Sequence, residues 1–388
     1  MTAMKETERI IYADNAATTA LSETALKAML PFLKEQYGNA SSVHLLGQNA
    51  RAALDCARER CAQVLGCQAR EIIFTSGGTE SDNQAICSVT EIGNRQGKKH
   101  IISTTIEHHA VLHTLQRLEQ QGYEVTLLAV SEEGVVDPRR IAEAIREDTA
   151  LVSVMYANNE IGTIQPIEEI GRICRDKGVL FHTDAVQAAG ALPLGVRSLN
   201  ADLLSLSAHK FHGPKGAGIL YARRGVRLAP LLEGGAQERD LRAGTENVAA
   251  IVGMAAALEE AEAGRKTNAE RLAGMRDRLI EGLEQISGSV LNGSRTERLS
   301  GNVNFSFTGI ESEALLLMLD EKGICASAAS ACSAGAIEPS HVILAIGRPR
   351  ELAFSSLRLS LSAWNTEEEI DRIIAAVQTC VEELRRGI

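Results

Sequence analysis

The chain has 388 residues, 45% of them hydrophobic and 23% charged, with a formal net charge of -10 and only 3% aromatics. That length predicts two domains, or one large and one small, with cores resting on Ala, Leu, Ile and Val. The acidic balance excludes a nucleic-acid partner held by a general basic surface. No stretch approaches the roughly 18 consecutive apolar residues of a membrane span, so no membrane contact is expected. The start, Met1-Thr-Ala-Met-Lys-Glu-Thr-Glu-Arg9, lacks the apolar core of a signal peptide. The chain reads as cytoplasmic.

In chain order, Ile10 to Tyr12 is a short strand running into the polar turn Asp14 to Thr19. A helix starts at Ser22, and another spans about Gly47 to Leu65 after a loop of small polar residues around Asn39. Glu71 to Thr75 is a strand, and Ser76-Gly-Gly-Thr79 turns it into a helix. Strands over 100–104, 123–129, 150–155, 179–183 and 202–207 then accompany helices over 108–121, 138–146 and 166–176. This alternation predicts an α/β protein with a mostly parallel mixed sheet. From about residue 258 the pattern changes. Leu258 to Ile286 forms one long helix or two, followed by a strand over Gly301 to Phe307 and a helix through Leu315 to Leu319. A loop of Ala, Ser and Gly runs from Ala326 to Gly335, where nothing large anchors it and mobility is expected. Ser356 to Leu361 is a strand, and Thr366-Glu-Glu-Glu369 opens the last helix with a capping-box pattern. The expected division is a large domain over 15–260 and a smaller α+β domain over 261–388, with residues 1–14 packing on the latter.

Three features carry chemistry. The apolar run from Leu203 ends in Ser207, His209 and Lys210, before Gly213-Pro214 and Gly216 force a turn. A lysine whose stem is in apolar surroundings can present a neutral, nucleophilic amine suited to a Schiff base; a surface lysine in a turn is the plain alternative. Asp184 ends the strand from Val179, with Gln187 close behind. A carboxylate at a buried strand tip is costly unless it meets a cation, such as a protonated pyridine nitrogen, or else it caps the next helix. Gly77 and Gly78 leave the N–H groups of a helix start open to a phosphate, although an N-cap turn explains them too. The eight cysteines, at 56, 61, 67, 87, 174, 325, 332 and 380, form no C-x-x-C pair. No metal site is expected, and most are packed as reduced thiols. Cys332, in its loop of small residues, stands apart.

Lys210 and Asp184 together resemble the cofactor pair of fold-type-I pyridoxal-phosphate enzymes. The likeness extends through Tyr12-Ala-Asp-Asn-Ala-Ala-Thr-Thr19, Thr75-Ser-Gly-Gly-Thr-Glu-Ser-Asp-Asn83, Glu107-His-His-Ala-Val111 and Asn158-Asn-Glu-Ile-Gly162. It continues in His182-Thr-Asp-Ala-Val-Gln187, Ser207-Ala-His-Lys210, Ser330-Ala-Cys-Ser333 and Glu338-Pro-Ser-His341. In this order these blocks resemble cysteine desulfurases of the class V aminotransferase group. The branch is the one with a long cysteine-bearing loop, which includes the housekeeping iron–sulfur and nitrogen-fixation enzymes. The loop departs from the group's habit at Ala329, where glycine is common, and at Ser333, where threonine is common.

The resemblance implies pyridoxal 5'-phosphate attached to Lys210, with Asp184 on its ring nitrogen, Gln187 on its phenolic oxygen, His108 on its ring face and Asn159 nearby. Physics alone does not choose between His108 and His109; the group's pattern selects His108. Gly78, Thr79, Ser207 and His209 would hold the phosphate, with Thr245 of the partner subunit in a homodimer. Arg358 would fork onto the substrate carboxylate, with Asn39 a lesser candidate there; its alternating strand fits either a cleft or a solvated face. The implied reaction takes sulfur from L-cysteine, with Lys210 as the base, and leaves a persulfide on Cys332 and free L-alanine. A nearby histidine, His108, would assist the Cys332 thiol. The persulfide serves a sulfur-acceptor protein such as an iron–sulfur scaffold. A selenocysteine lyase, an aminotransferase of the same fold and a non-catalytic scaffold are the competing readings.

Overall fold

The computed structural model describes residues 10–328 and 338–387. Apolar runs that are buried from end to end make the centre of a seven-stranded sheet, as expected for strands covered on both faces. Its spatial order is Ile72–Thr75, Gly218–Ala222, Leu203–Ser207, Leu180–Asp184, Thr149–Ser153, His100–Thr104 and Glu124–Leu128. Glu124–Leu128 is the half-exposed edge. All the pairings are parallel except the two made by Gly218–Ala222.

That antiparallel strand was not among the elements expected from the sequence. After Ser207 the chain reverses within ten residues, with Gly216 at φ +79°, and returns beside the strand it has just left, Ser207 opposite Gly218. The reversal holds the short 3-10 turn Ala208–Lys210 at the carboxyl end of Leu203–Ser207. In open α/β sheets that is the edge where ligands bind.

The remaining chain builds a second, smaller core. Ser356–Ser360, Asn302–Phe307 and Ser289–Leu291 form an antiparallel sheet in that order. Beside it, Ile11–Tyr12 pairs in parallel with Ile324–Cys325. Ile11 and Ala13 are buried in this core, with Phe305, Phe307 and Leu357. Helices Ser312–Glu321 and Glu367–Arg386 cover it. The second of these starts as its sequence predicts: Thr366 Oγ1 accepts from the Glu369 N–H, and Glu369 Oε2 accepts from the Thr366 N–H.

One helix serves both cores. Val248–Glu284 is continuous over 37 residues, which settles the choice between one helix and two. Its first part, through Leu258, packs in the larger core, and Leu272 to Leu283 pack in the smaller. Between them Ala261, Gly264 and Asn268 line a cavity of 590 Å³ whose other wall includes Ala16, Gln187 and Lys210. Among the described residues no helix is long and apolar enough to cross a membrane.

Candidate active site

Lys210 sits at the centre of a convergence of side chains. Its Nζ donates to the carbonyls of Ala16 (2.6 Å) and Ala17 (2.9 Å). Gln187 Nε2 donates to the same Ala16 carbonyl at 3.0 Å. The polar turn after the first strand is bound to the lysine turn from its other side too. The Thr19 N–H and hydroxyl both donate to the His209 carbonyl, and His209 Nδ1 lies 3.1 Å from Thr18 Oγ1. Burial, and then the charge of Lys210, push His209 down to about 4.

His108 is the N-cap of helix His109–Gln120, its Nδ1 accepting the Ala110 N–H at 3.1 Å. With Nδ1 so engaged, the proton of the neutral ring is assigned to Nε2. In this tautomer His108 presents a donor at Nε2. Burial and the Lys210 charge push it down to about 4, so it is neutral at physiological pH. His109 turns elsewhere, with ring centroids 4.8 Å from both His113 and His341. Geometry thus separates two histidines that sequence physics leaves equivalent.

Asp184 is 6% exposed at the tip of its strand, and burial pushes it up to about 6 despite Lys210. Its Oδ1 accepts the Val186 N–H at 2.9 Å, so it does stabilise the following turn while its carboxylate remains at the strand end. His182, two residues earlier and so on the same face of the strand, is fully buried between Ser153 Oγ (2.8 Å) and Ser205 Oγ (3.0 Å). Asp82 Oδ1, from helix Gly78–Asn94, lies 3.6 Å from the His182 ring. Burial and the charge of Asp184 hold Asp82 well above the usual carboxylate range. The sequence reading gave neither Asp82 nor His182 a role of its own; the i, i+2 spacing of His182 and Asp184 was the available signal.

The glycine pair stands where backbone comes closest. Gly77 has φ +155°, and a Cβ on Gly78 would come within 2.6 Å of Val186 Cγ2. Ser207 Oγ faces Gly77, 3.5 Å from the place a Cβ would take. Thr79 is exposed in the first turn of the helix. Thr245, also exposed, lines a 220 Å³ pocket with Thr75, Ser76 and Gly216 of its own chain. The segment before it is strained: Glu238, Arg239 and Asp240 have φ of +46°, +60° and +63°. The buried Glu238 carboxylate holds that strain in place, accepting two bonds from Arg58 and one from the Phe74 N–H.

Arg358 is 3% exposed, which removes the solvated-face alternative. Its neighbours Leu357 and Leu359 enter the small core. Arg358 points the other way, where the first strand and the turn at Asn159 cover it. Nη2 donates to Asp14 Oδ1 at 2.9 Å and Nη1 to the Asn159 carbonyl at 3.3 Å. Nε is buried without an acceptor among the described residues. The Arg358 backbone exchanges hydrogen bonds with Ser327 (2.7 and 3.2 Å). Further on, Ser340 Oγ donates to the buried Glu160 carboxylate, and His341 Nε2 lies 3.0 Å from the Glu107 carbonyl. Asn39 is exposed and engaged locally, accepting from the Ser41 N–H. Cys332, and the mobility expected of its loop, lie outside the described residues. Cys325 is half-buried at the end of its short strand, and burial pushes its thiol up.

The aminotransferase class V pattern matches residues 11–373. The chain belongs to the class V aminotransferase family. The match to class V relatives is closer still in individual proteins. A cysteine desulfurase IscS of Methanosarcina thermophila is 53% identical over 377 residues, covering 97% of this chain and 93% of that one. One from Dictyoglomus turgidum is 49% identical over 97% and 96%. Among solved structures, a NifS-like protein superposes with a TM-score of 0.91 at 40% identity, covering 96% of this chain and all of the other. The fold is accordingly that of fold-type-I enzymes of class V, and the cofactor is pyridoxal 5'-phosphate.

The residues present fit that class V cofactor on two observations. Asp184 is a buried carboxylate held up by burial, the setting in which a cationic ring nitrogen supplies the missing partner. The Gly77-Gly78 backbone opens a long helix, with no side chain to fill the space beside Ser207.

Proposed function

We propose that the chain is a cysteine desulfurase that converts L-cysteine to L-alanine and holds the sulfur as a persulfide on Cys332. The observation that carries the reading is the convergence on Lys210. Gln187 shares its carbonyl acceptor, and the lysine's charge acts on both Asp184 and His108. The relatives named as cysteine desulfurases, about half identical along nearly the whole chain, support the substrate.

In this reading Lys210 would carry the cofactor, Asp184 would keep its ring nitrogen protonated, Gln187 would bond its phenolic oxygen, and His108 would pack against its ring, with Asn159 nearby. Gly78, Thr79, Ser207 and His209 would hold its phosphate, with Thr245 of a second subunit. Bound pyridoxal phosphate supplies the electron sink that allows the substrate Cα proton to leave. Lys210 Nζ would move that proton. Arg358 binds the substrate carboxylate, a planar task suited to its fork, with Asn39 toward the same end. The neutral His108 offers Nε2–H as a donor to the substrate. The Cys332 thiolate attacks the substrate sulfur: the S–S bond forms, the substrate C–S bond breaks, and the carbon side leaves, once protonated, as L-alanine.

The active form is a homodimer with two composite sites, built from a large domain over 15–260 and a small one over 261–388 that also takes residues 1–14. Two cores and the place of Ile11 in the second support that division. The persulfide passes to a sulfur-acceptor protein such as an iron–sulfur scaffold. The work is done in the cytoplasm, where the seven free cysteines among the described residues suit a reducing medium. The deciding experiment incubates the holoenzyme with L-cysteine, quantifies alanine and sulfide, and maps the extra sulfur by mass spectrometry. Alanine with the extra sulfur on Cys332, both lost in Lys210→Ala, is the expected result. Sulfur found on Cys325, or full activity in Cys332→Ala, overturns the mechanism.

A further inference from the structure

Arg358 is held before any substrate arrives, and the group that holds it is Asp14. We infer that Asp14 is a positioning residue for substrate recognition: it sets the plane of the Arg358 guanidinium so that Nε–H faces the substrate carboxylate. The inference rests on the reading of Arg358 as the carboxylate clamp.

The geometry has three parts. First, a guanidinium is planar, so tying its two terminal nitrogens fixes the whole fork. Nη2 is tied to Asp14 Oδ1 at 2.9 Å and Nη1 to the Asn159 carbonyl at 3.3 Å. Second, three of the five N–H donors remain, and of these Nε–H is buried with no acceptor among the described residues. A buried donor without a partner is costly unless a ligand completes it. Third, Asp14 cannot drift. It bridges to Ser360, two residues from Arg358 on the same strand. The Ser360 N–H donates to the Ala13 carbonyl (2.7 Å), the Asn15 N–H to the Ser360 carbonyl (3.1 Å), and the Ala16 N–H to Ser360 Oγ (2.8 Å).

A second carboxylate makes Asp14 necessary. Glu160 is buried close enough to Arg358 to be stabilised by its charge. Without Asp14 the guanidinium has another carboxyl group nearby to turn toward, and Nε leaves its direction. The ion pair also balances a nearly buried cation.

A merely structural ion pair between the first strand and Ser356–Ser360 would affect every ligand alike. The test therefore compares two amines that differ only in the carboxylate. Dissociation constants of L-alanine and ethylamine are measured by calorimetry on the holoenzyme and on Asp14→Ala, Arg358→Gln and the double variant. Asp14→Ala is expected to weaken L-alanine about tenfold and to leave ethylamine within about twofold. The double variant should bind L-alanine no more weakly than Arg358→Gln alone, because Asp14 acts only through Arg358. If Asp14→Ala does not fold, Asp14→Asn, which keeps the shape and one acceptor, should show the same selective loss at about threefold. Equal weakening of both amines, or additive losses in the double variant, overturns the inference. Loss of the preference for L-alanine in Arg358→Gln but not in Asp14→Ala does so while sparing the clamp. A preference unchanged in Arg358→Gln removes both readings.

Discussion

Burial raises Glu107, Glu160 and Asp184 to about 8, 7 and 6, and Glu107 shows what this does to stability. Its carboxyl accepts from the Thr104 hydroxyl and the Met155 N–H, yet desolvation outweighs both. The folded chain therefore holds a proton that the unfolded chain releases near the ordinary glutamate value of 4.5. Between those two values the folded state binds more protons, so its stability falls as pH rises. His108, His182 and His209, all depressed by burial, act in the opposite sense below about pH 6.5 and are silent above it. Glu107→Gln mimics the protonated acid. It should gain roughly 1 kcal/mol per pH unit on the parent between pH 6.5 and 8, read from denaturant midpoints of the apoprotein. A constant difference across that window would show Glu107 to be ionised throughout. At this scale Lys210, Asp184 and Arg358 were legible because each ends or alternates within an apolar strand. Asp82 and the burial of Glu107 were not, since their surroundings come from elements far apart in sequence.

Three elements meet at the glycine pair, and the meeting point tolerates no side chain. A Cβ on Gly218 would stand 2.6 Å from the Gly77 Cα. Backbone cannot move aside as the end of a flexible side chain can. Gly218→Ala should displace the start of helix Gly78–Asn94, at a cost of about 1–3 kcal/mol in stability. It should also weaken pyridoxal 5'-phosphate binding to the apoprotein at least about tenfold, measured by fluorescence titration, with the far-ultraviolet spectrum unchanged. Unaltered affinity would mean the cradle does not depend on this approach. The glycines at 77 and 78 were readable as a turn before a helix, but the strand pressing on them was not. Gly218–Ala222 follows a Gly and Pro-rich reversal, and the sequence shows where a chain turns more clearly than which neighbour it returns to.

The helix Val248–Glu284 makes one mechanical unit of two cores. Its middle is solvent-facing on one side, with Lys266 exposed, so Lys266→Pro would break the helix without removing a core contact. The local cost should be about 3 kcal/mol. The single calorimetric transition expected of the parent should then split into two, while Lys266→Ala leaves it whole. A single transition in the proline variant would show that the cores are coupled elsewhere. The long helix was readable from its charged, amphipathic run. That it belongs to both cores was not, because the pattern of one helix does not say what its two halves rest against.

The Asp14–Arg358 contact closes a span of 344 residues, and this gives the site a birth order. During synthesis the first strand emerges long before Ile324–Cys325 and Ser356–Ser360, the strands it must join. In the proposed reading, the chain's own cofactor-facing edge of the large sheet is complete while the carboxylate end still lacks its arginine, so the grip on an amino acid would be the last property the polypeptide acquires.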